Sequence, residues 1–219
     1  MRLISPSILA ADFLHLEKDI LMLNRHSDWI HLDVMDGSLV PNISFGFSVL
    51  EPVCKIAEIP TDVHLMIVNP DKYFKRCAEI GASYVSFHLE AAEKAGKSPS
   101  DWIGQIHELG MKAGIAINPD IPVEKLFPYL KEADFVLIMS VFAGFGGQKF
   151  IEDTYERVAK TKAEVIRQGT ECLIEIDGGA GEHNAAALFN SGVDVIVAGS
   201  SVFKSASPAD TIKAMREAQ

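Results

Sequence analysis

The residues of this chain best able to do chemistry fall at the ends of three short apolar runs. In Trp29-Ile30-His31-Leu32-Asp33-Val34 the period of two puts His31 and Asp33 on one face of a strand, with Leu32 and Val34 on the other. The run Asp62-Val63-His64-Leu65-Met66 brings His64 to a similar height, and Glu175-Ile176-Asp177 ends in a carboxylate followed at once by Gly178-Gly179. Turned inward, such carboxylates are costly to bury unpaired. A divalent cation resolves that cost, because it neutralises the acids and accepts the imidazole nitrogens. A set of His31, Asp33, His64 and Asp177 suits Zn²⁺ or Fe²⁺, and also Mn²⁺ or Co²⁺, and the residue types do not choose among them.

A second constellation is made of glycines. Gly144-Phe145-Gly146-Gly147, Gly178-Gly179 and Gly199-Ser200-Ser201 each follow an apolar run. Glycine lets backbone N–H groups approach an anion closely, and a helical turn starting after Gly199 would add its dipole, so a phosphate is expected there. Lys149 nearby reads as solvated. Met35, Met66 and Met139 sit at strand ends; methionine is usually a core filler, yet three at one rim could form an apolar wall around a reacting carbon. His88 and Asn118 read either as residues supporting the site from behind or as hydrogen-bonded rim residues, His15, His26, His107 and His183 as surface residues, and Lys72, Lys75 and Arg76 as a solvated helix face.

The elements that must position these groups alternate along the chain. Strands are expected at Leu3–Ile8, Trp29–Val34, Thr61–Met66, Tyr84–His88, Lys112–Ile117, Phe135–Met139, Cys172–Ile176 and Val193–Val197. Helices are expected at Phe13–Asn24, Phe47–Ala57, Asp71–Ile80, Ser100–Leu109, Val123–Leu130, Ile151–Arg167, Glu182–Ser191 and Pro208–Ala218. Gly81, Gly110, Gly169 and Gly192 read as helix stops, and Pro60, Pro70, Pro99, Pro122 and Pro208 mark element borders. Eight β-then-α units without a composition break give an α/β fold, a single (β/α)₈ barrel spanning 1–219. In such a barrel the chemistry belongs at the C-terminal ends of the strands, where both constellations lie. An open doubly wound sheet would carry GxGxxG after the first strand; Ala10-Ala11-Asp12 stands there instead.

Composition narrows the partners. The net charge of −10 argues against nucleic acid or an anionic membrane, though not against a small phosphorylated substrate. Three scattered cysteines, Cys54, Cys77 and Cys172, suggest a reducing compartment and core-filling thiols. The apolar run before Asp12 is too short for a signal peptide, and no stretch suits a membrane span, so a cytoplasmic protein is expected.

Taken together, Ser5-Pro6-Ser7-Ile8-Leu9, His31-Leu-Asp33-Val-Met-Asp36-Gly37, Val40-Pro41-Asn42, Asp62-Val-His64-Leu-Met66, Gly144-Phe-Gly-Gly-Gln148, Asp177-Gly178-Gly179 and Ala198-Gly199-Ser200 resemble the ribulose-phosphate 3-epimerase family. The resemblance runs from the first strand to the last. It implies a metal-dependent interconversion of D-ribulose 5-phosphate and D-xylulose 5-phosphate in the pentose phosphate pathway, by a homo-oligomer. It also implies His31, Asp33, His64 and Asp177 as metal ligands, with Asp33 as proton acceptor and Asp177 as donor. Ser7, His64, Asp177, Gly144, Phe145, Gly146, Gly147, Gly178, Gly179, Gly199 and Ser200 are implied as substrate contacts.

The sequence departs from the family pattern at Phe142-Ala143, where an Asn-Pro or Glu-Pro pair is usual, and the missing proline suggests a looser loop. The nearest rival is an epimerase of a six-carbon ketose phosphate. A Schiff-base aldolase would need a lysine at a strand end, and none of the eight offers one. A non-catalytic sugar-phosphate sensor would not need both Asp33 and Asp177.

Overall fold

A computed structural model describes residues 1–219. Eight parallel strands form one sheet, β1 (Leu3–Pro6), β2 (Ile30–Met35), β3 (Thr61–Met66), β4 (Tyr84–His88), β5 (Lys112–Ile117), β6 (Phe135–Met139), β7 (Leu173–Asp177) and β8 (Val195–Ala198). Neighbours run β1-β8-β7-β6-β5-β4-β3-β2, and an isolated parallel bridge between Ser7 and His31 draws β1 against β2. The eight-stranded α/β barrel expected from the alternation of elements is therefore present.

Around the sheet lie α1 (Leu16–His26), α2 (Phe47–Ile56), α3 (Phe74–Glu79), α4 (Leu89–Ala95), α5 (Pro99–Glu108), α6 (Thr154–Gln168), α7 (Ala185–Ser191), α8 (Ser200–Phe203) and α9 (Pro208–Glu217). The four stop glycines adopt positive φ as expected. One expected helix is not α. Val123–Tyr129 is a 3-10 helix with Pro128 inside it, and a proline at that point removes an N–H and crowds the preceding turn. One helix was not expected, since α4 follows β4 with no intervening loop and ends on Gly96 at φ +63°.

The strands read as continuous apolar runs because both their faces are covered. Their outer faces and the helices share a large apolar core that includes Leu32, Val63, Val85, Ile115, Val136 and Ile174. Inside the barrel the N-terminal end is filled by rings. Trp29 stacks on Tyr84 at 4.1 Å between centroids, and Phe135 meets Tyr84 edge-on at 5.8 Å. Gly114 faces this plug, and a Cβ there would stand 2.2 Å from the Phe135 ring. With that end packed, inward polar residues collect toward the C-terminal end.

Candidate active site

The register of β2 against β3 pairs His31 with Asp62 and Asp33 with His64, which sets four polar side chains side by side on the inner face. Nε2 of His31 and Nδ1 of His64 each lie 3.3 Å from Oδ1 of Asp33. All three atoms are buried, and none has a hydrogen-bond partner. With a carboxylate oxygen of Asp177 they fall within 4.8 Å of one another. Buried polar atoms are normally paired, so a cluster of orphans aimed at one point is what a cation site needs. The donor set, two imidazoles and two carboxylates, fits a divalent cation.

The other atoms of these residues are fixed. Ser7 donates to Oδ2 of Asp33 at 2.5 Å, and His31 donates from Nδ1 to Asp62 at 2.6 Å. That carboxylate–imidazole pairing aims Nε2 of His31 at the cluster. Ser44, on the loop after β2, donates to the Asp33 carbonyl at 2.6 Å. Ser140 donates to the carbonyls of Asp177 and Gly178 at 2.8 and 2.6 Å, which holds the end of β7.

The electrostatics are uneven. Burial alone would raise Asp33, but the His31 charge and the adjacent His31 and His64 imidazoles hold it well below the usual carboxylate range. Burial, with the Asp33 charge beside it, pushes Asp177 up to about 7. Burial also carries His64 down to about 4 against the pull of Asp33, leaving a neutral imidazole able to ligate. Burial opposes a proton on His31, yet Asp33 and Asp62 outweigh it and raise that group. A cation at Nε2 would take that proton's place. Deeper still, burial and the Asp62 charge raise Glu175 far above its ordinary value.

Above this cluster opens a cavity of about 550 Å³, lined by Ser7, Asp33, Met35, Met66, Met139 and Asp177 at its floor. The three methionines thus form such an apolar wall. The glycines expected at the phosphate end, Gly144, Gly146, Gly147, Gly178, Gly179 and Gly199, line the same cavity with Phe145 and Ser200. At Gly179 the backbone has φ +64°, and a Cβ would stand 2.7 Å from the Phe150 nitrogen, so no other residue fits. Gln148 donates to the carbonyls of Phe142 and Phe145, and Asn42 donates to the Gly144 carbonyl at 2.6 Å. These bonds tie the loop after β6 to itself and to the loop after β2. His183 is exposed as expected yet lines the cavity, as does Lys204, which the sequence reading did not single out. Lys149 is exposed and is not among the lining residues.

Sequence reasoning missed Asp62 and Glu175 as members of the buried polar layer, although the period of two that paired His31 with Asp33 also places Asp62 beside His64 and Glu175 beside Asp177 on the inner face. Ser140 and Glu90 carried no comparable signal.

Comparison with known proteins agrees with this architecture. The profile described as the ribulose-phosphate 3 epimerase family matches residues 3–203. A ribulose-phosphate 3-epimerase of Aquifex aeolicus is 44% identical over 204 residues, covering 93% of this chain and 90% of that protein. One from Mycobacterium bovis is 41% identical over 214 residues, covering 98% and 91%. Among solved structures, KGPDC from Streptococcus mutans superposes with a TM-score of 0.71 at 11% identity, over 99% of this chain and 96% of that one. An N-(5′-phosphoribosyl)anthranilate isomerase from Pyrococcus furiosus gives 0.69 at 12%, over 99% and 97%. At such identities the two structures speak for the fold alone.

Proposed function

This chain belongs to the ribulose-phosphate 3-epimerase family, and on that premise we propose how it acts as an isomerase of that kind. The observation that carries the mechanism is the convergence of His31 Nε2, Asp33 Oδ1 and His64 Nδ1, buried and otherwise unpartnered, beside Asp177. His31, Asp33, His64 and Asp177 would hold one divalent ion. When bound, such an ion would supply Lewis-acid stabilisation of negative charge developing at the ketone oxygen.

The protein's own residues handle the proton. Epimerising the carbon beside a ketone requires a carboxylate on each of its faces, one to take the proton and one to return it. Asp33, held ionised by its imidazole neighbours and by Ser7, is the acceptor. Asp177, raised by burial and by Asp33, is the donor, and the two titrate as a coupled unit. Met35, Met66 and Met139 exclude water from the reacting carbon. Backbone N–H groups around Gly144, Gly146, Gly147, Gly178, Gly179, Gly199 and Ser200 grip the phosphate, with Ser7, His64, Asp177 and Phe145 completing the substrate contacts. That remote grip supplies binding energy for orientation.

We read the substrate as D-ribulose 5-phosphate, exchanged with D-xylulose 5-phosphate in the pentose phosphate pathway. Residues 1–219 act as one catalytic barrel. No helix is long and apolar enough to cross a membrane; we read the protein as a cytoplasmic homo-oligomer without nucleic-acid partners. The test is a coupled assay on ribulose 5-phosphate and on a six-carbon ketose phosphate, before and after metal stripping. Activity on the pentose that falls on stripping and returns with Zn²⁺ or Fe²⁺ is expected. Undiminished activity in the stripped protein would overturn the metal reading, and preference for the hexose would overturn the substrate.

A further inference from the structure

His88 and Asn118, expected either to support the site or to sit at its rim, meet on one carboxylate. Nε2 of His88 lies 2.9 Å from Nε2 of His64, and the two rings stack with centroids 5.0 Å apart. On its other side, Nδ1 of His88 stands 3.6 Å from Oε2 of Glu90. That is longer than a formed hydrogen bond. Yet both atoms are buried and neither has another partner, so an N–H facing a carboxylate oxygen is the arrangement that relieves their burial. Oε1 of Glu90 accepts from the backbone N–H and from Nδ2 of Asn118, at 3.0 and 2.8 Å. In turn Oδ1 of Asn118 accepts the N–H of Ala143 at 2.9 Å, at the start of the glycine loop. The buried Arg157 donates to the Asn118 carbonyl at 2.9 Å and fixes the strand end. Burial opposes ionising Glu90, but the contacts from His88 and Asn118 prevail and bring it down to about 2.

Two neutral rings between the Asp33 and Glu90 carboxylates admit two orders of protons, and only the one in which Glu90 is the acceptor leaves a lone pair facing Asp33, as a cation there requires. If Glu90 accepts from Nδ1–H of His88, then Nε2 of His88 must accept from Nε2–H of His64. The lone pair of His64 is thereby left on Nδ1, the atom facing Asp33. We propose that Glu90 is a positioning residue with two arms: through His88 it sets which nitrogen of His64 is free to ligate, and through Asn118 it fixes the base of the loop carrying Gly144, Gly146 and Gly147. The first arm rests on the metal reading above. The second stands at the Phe142-Ala143 departure, where an N–H that proline lacks is used as a tether.

Glu90→Gln separates the arms. Its amide oxygen still accepts from Asn118, but its NH₂ can only donate toward His88. That reverses both rings and protonates Nδ1 of His64. Long-range ¹H–¹⁵N spectra of the metal-free proteins are expected to show Nε2–H on His64 in the wild type and Nδ1–H in Glu90→Gln. Zn²⁺ affinity, measured against a chromophoric chelator, is expected to fall about 10- to 100-fold in Glu90→Gln. Asn118→Ala should keep wild-type Zn²⁺ affinity and raise KM for ribulose 5-phosphate several-fold more than it lowers kcat.

Nδ1–H on wild-type His64, or Zn²⁺ binding in Glu90→Gln equal to wild type, overturns the first arm. Should Glu90→Gln not fold, the wild-type tautomer alone decides that arm. Asn118→Ala with an unchanged KM overturns the second. A wild-type protein that shows the expected tautomer but binds no Zn²⁺ overturns the metal reading while supporting the orientation of His64.

Discussion

Ser7 and Asp33 share a hydrogen bond of 2.5 Å, and it divides the labour between the two oxygens of one carboxylate. Oδ2 is engaged by the hydroxyl, so Oδ1 is the atom left facing His31 and His64. Ser7→Ala frees the carboxylate to rotate and strips a charge-assisted bond of the kind worth about 1.5–3 kcal/mol. It should lower kcat about 10- to 100-fold and also raise the KM for ribulose 5-phosphate, since Ser7 is a substrate contact as well. A variant with wild-type kcat in steady-state assays would refute this role.

Asp33→Asn and Asp177→Asn should each cut turnover by about 10²–10⁴-fold, the usual contribution of a positioned acid or base. Solvent deuterium should enter C3 of the substrate in the wild type and cease to do so in Asp33→Asn. Near-normal rates in either variant would end the two-carboxylate account.

Introducing proline at the departure should not help this protein. Ala143→Pro deletes the N–H that bonds Asn118, and stranding that oxygen costs about 1–3 kcal/mol. Stiffening the unfolded chain returns only about 0.4–1 kcal/mol. A lower thermal midpoint and a higher KM are expected; a rise in the midpoint would show that the tether is weak.

How much of this was legible beforehand differs by residue. The convergence of His31, Asp33, His64 and Asp177 was legible because period two pairs His31 with Asp33 on one face and the other two stand at the ends of apolar runs. Strand bounds for β3, β4, β5 and β6 came out as expected, since runs buried on both faces leave a sharp edge. Glu90 and Asn118 were not legible as partners. They sit just past the ends of β4 and β5, and they meet only because those strands are neighbours in the sheet. The helix expected at Val123–Leu130 failed on Pro128, a local signal that outweighed the amphipathic pattern.

At the opposite end of the barrel Asp134 accepts from Lys112 at 2.8 Å, from the Ala113 N–H at 2.9 Å and from His107 at 2.7 Å. Burial would raise it, but these bonds prevail and lower its folded value. Asp134 therefore stabilises the fold above the unfolded carboxyl value near pH ~4 and loses that contribution as pH falls further. Urea titrations should show Asp134→Asn about 1 kcal/mol less stable at pH 7, with the gap shrinking toward pH 3. A constant gap would refute the linkage.

Burial pushes the Cys77 and Cys172 thiols up to about 12 and raises Cys54 as well. Thiolate is the reactive form. A disulfide reagent at pH 8 should therefore leave Cys77 and Cys172 unmodified in the folded protein and titrate all three after unfolding. Rapid labelling of Cys77 or Cys172 in the native state would show that its packing opens readily.

The ring plug of Trp29, Tyr84 and Phe135 has a kinetic corollary. With one end of the barrel stoppered, the reacting sugar has a single doorway, and each epimer must vacate it before the other can enter. The two sugars are therefore strict competitors for an unshared berth. In progress curves, accumulating product should slow the forward reaction as a competitive inhibitor, well before the overall equilibrium is reached.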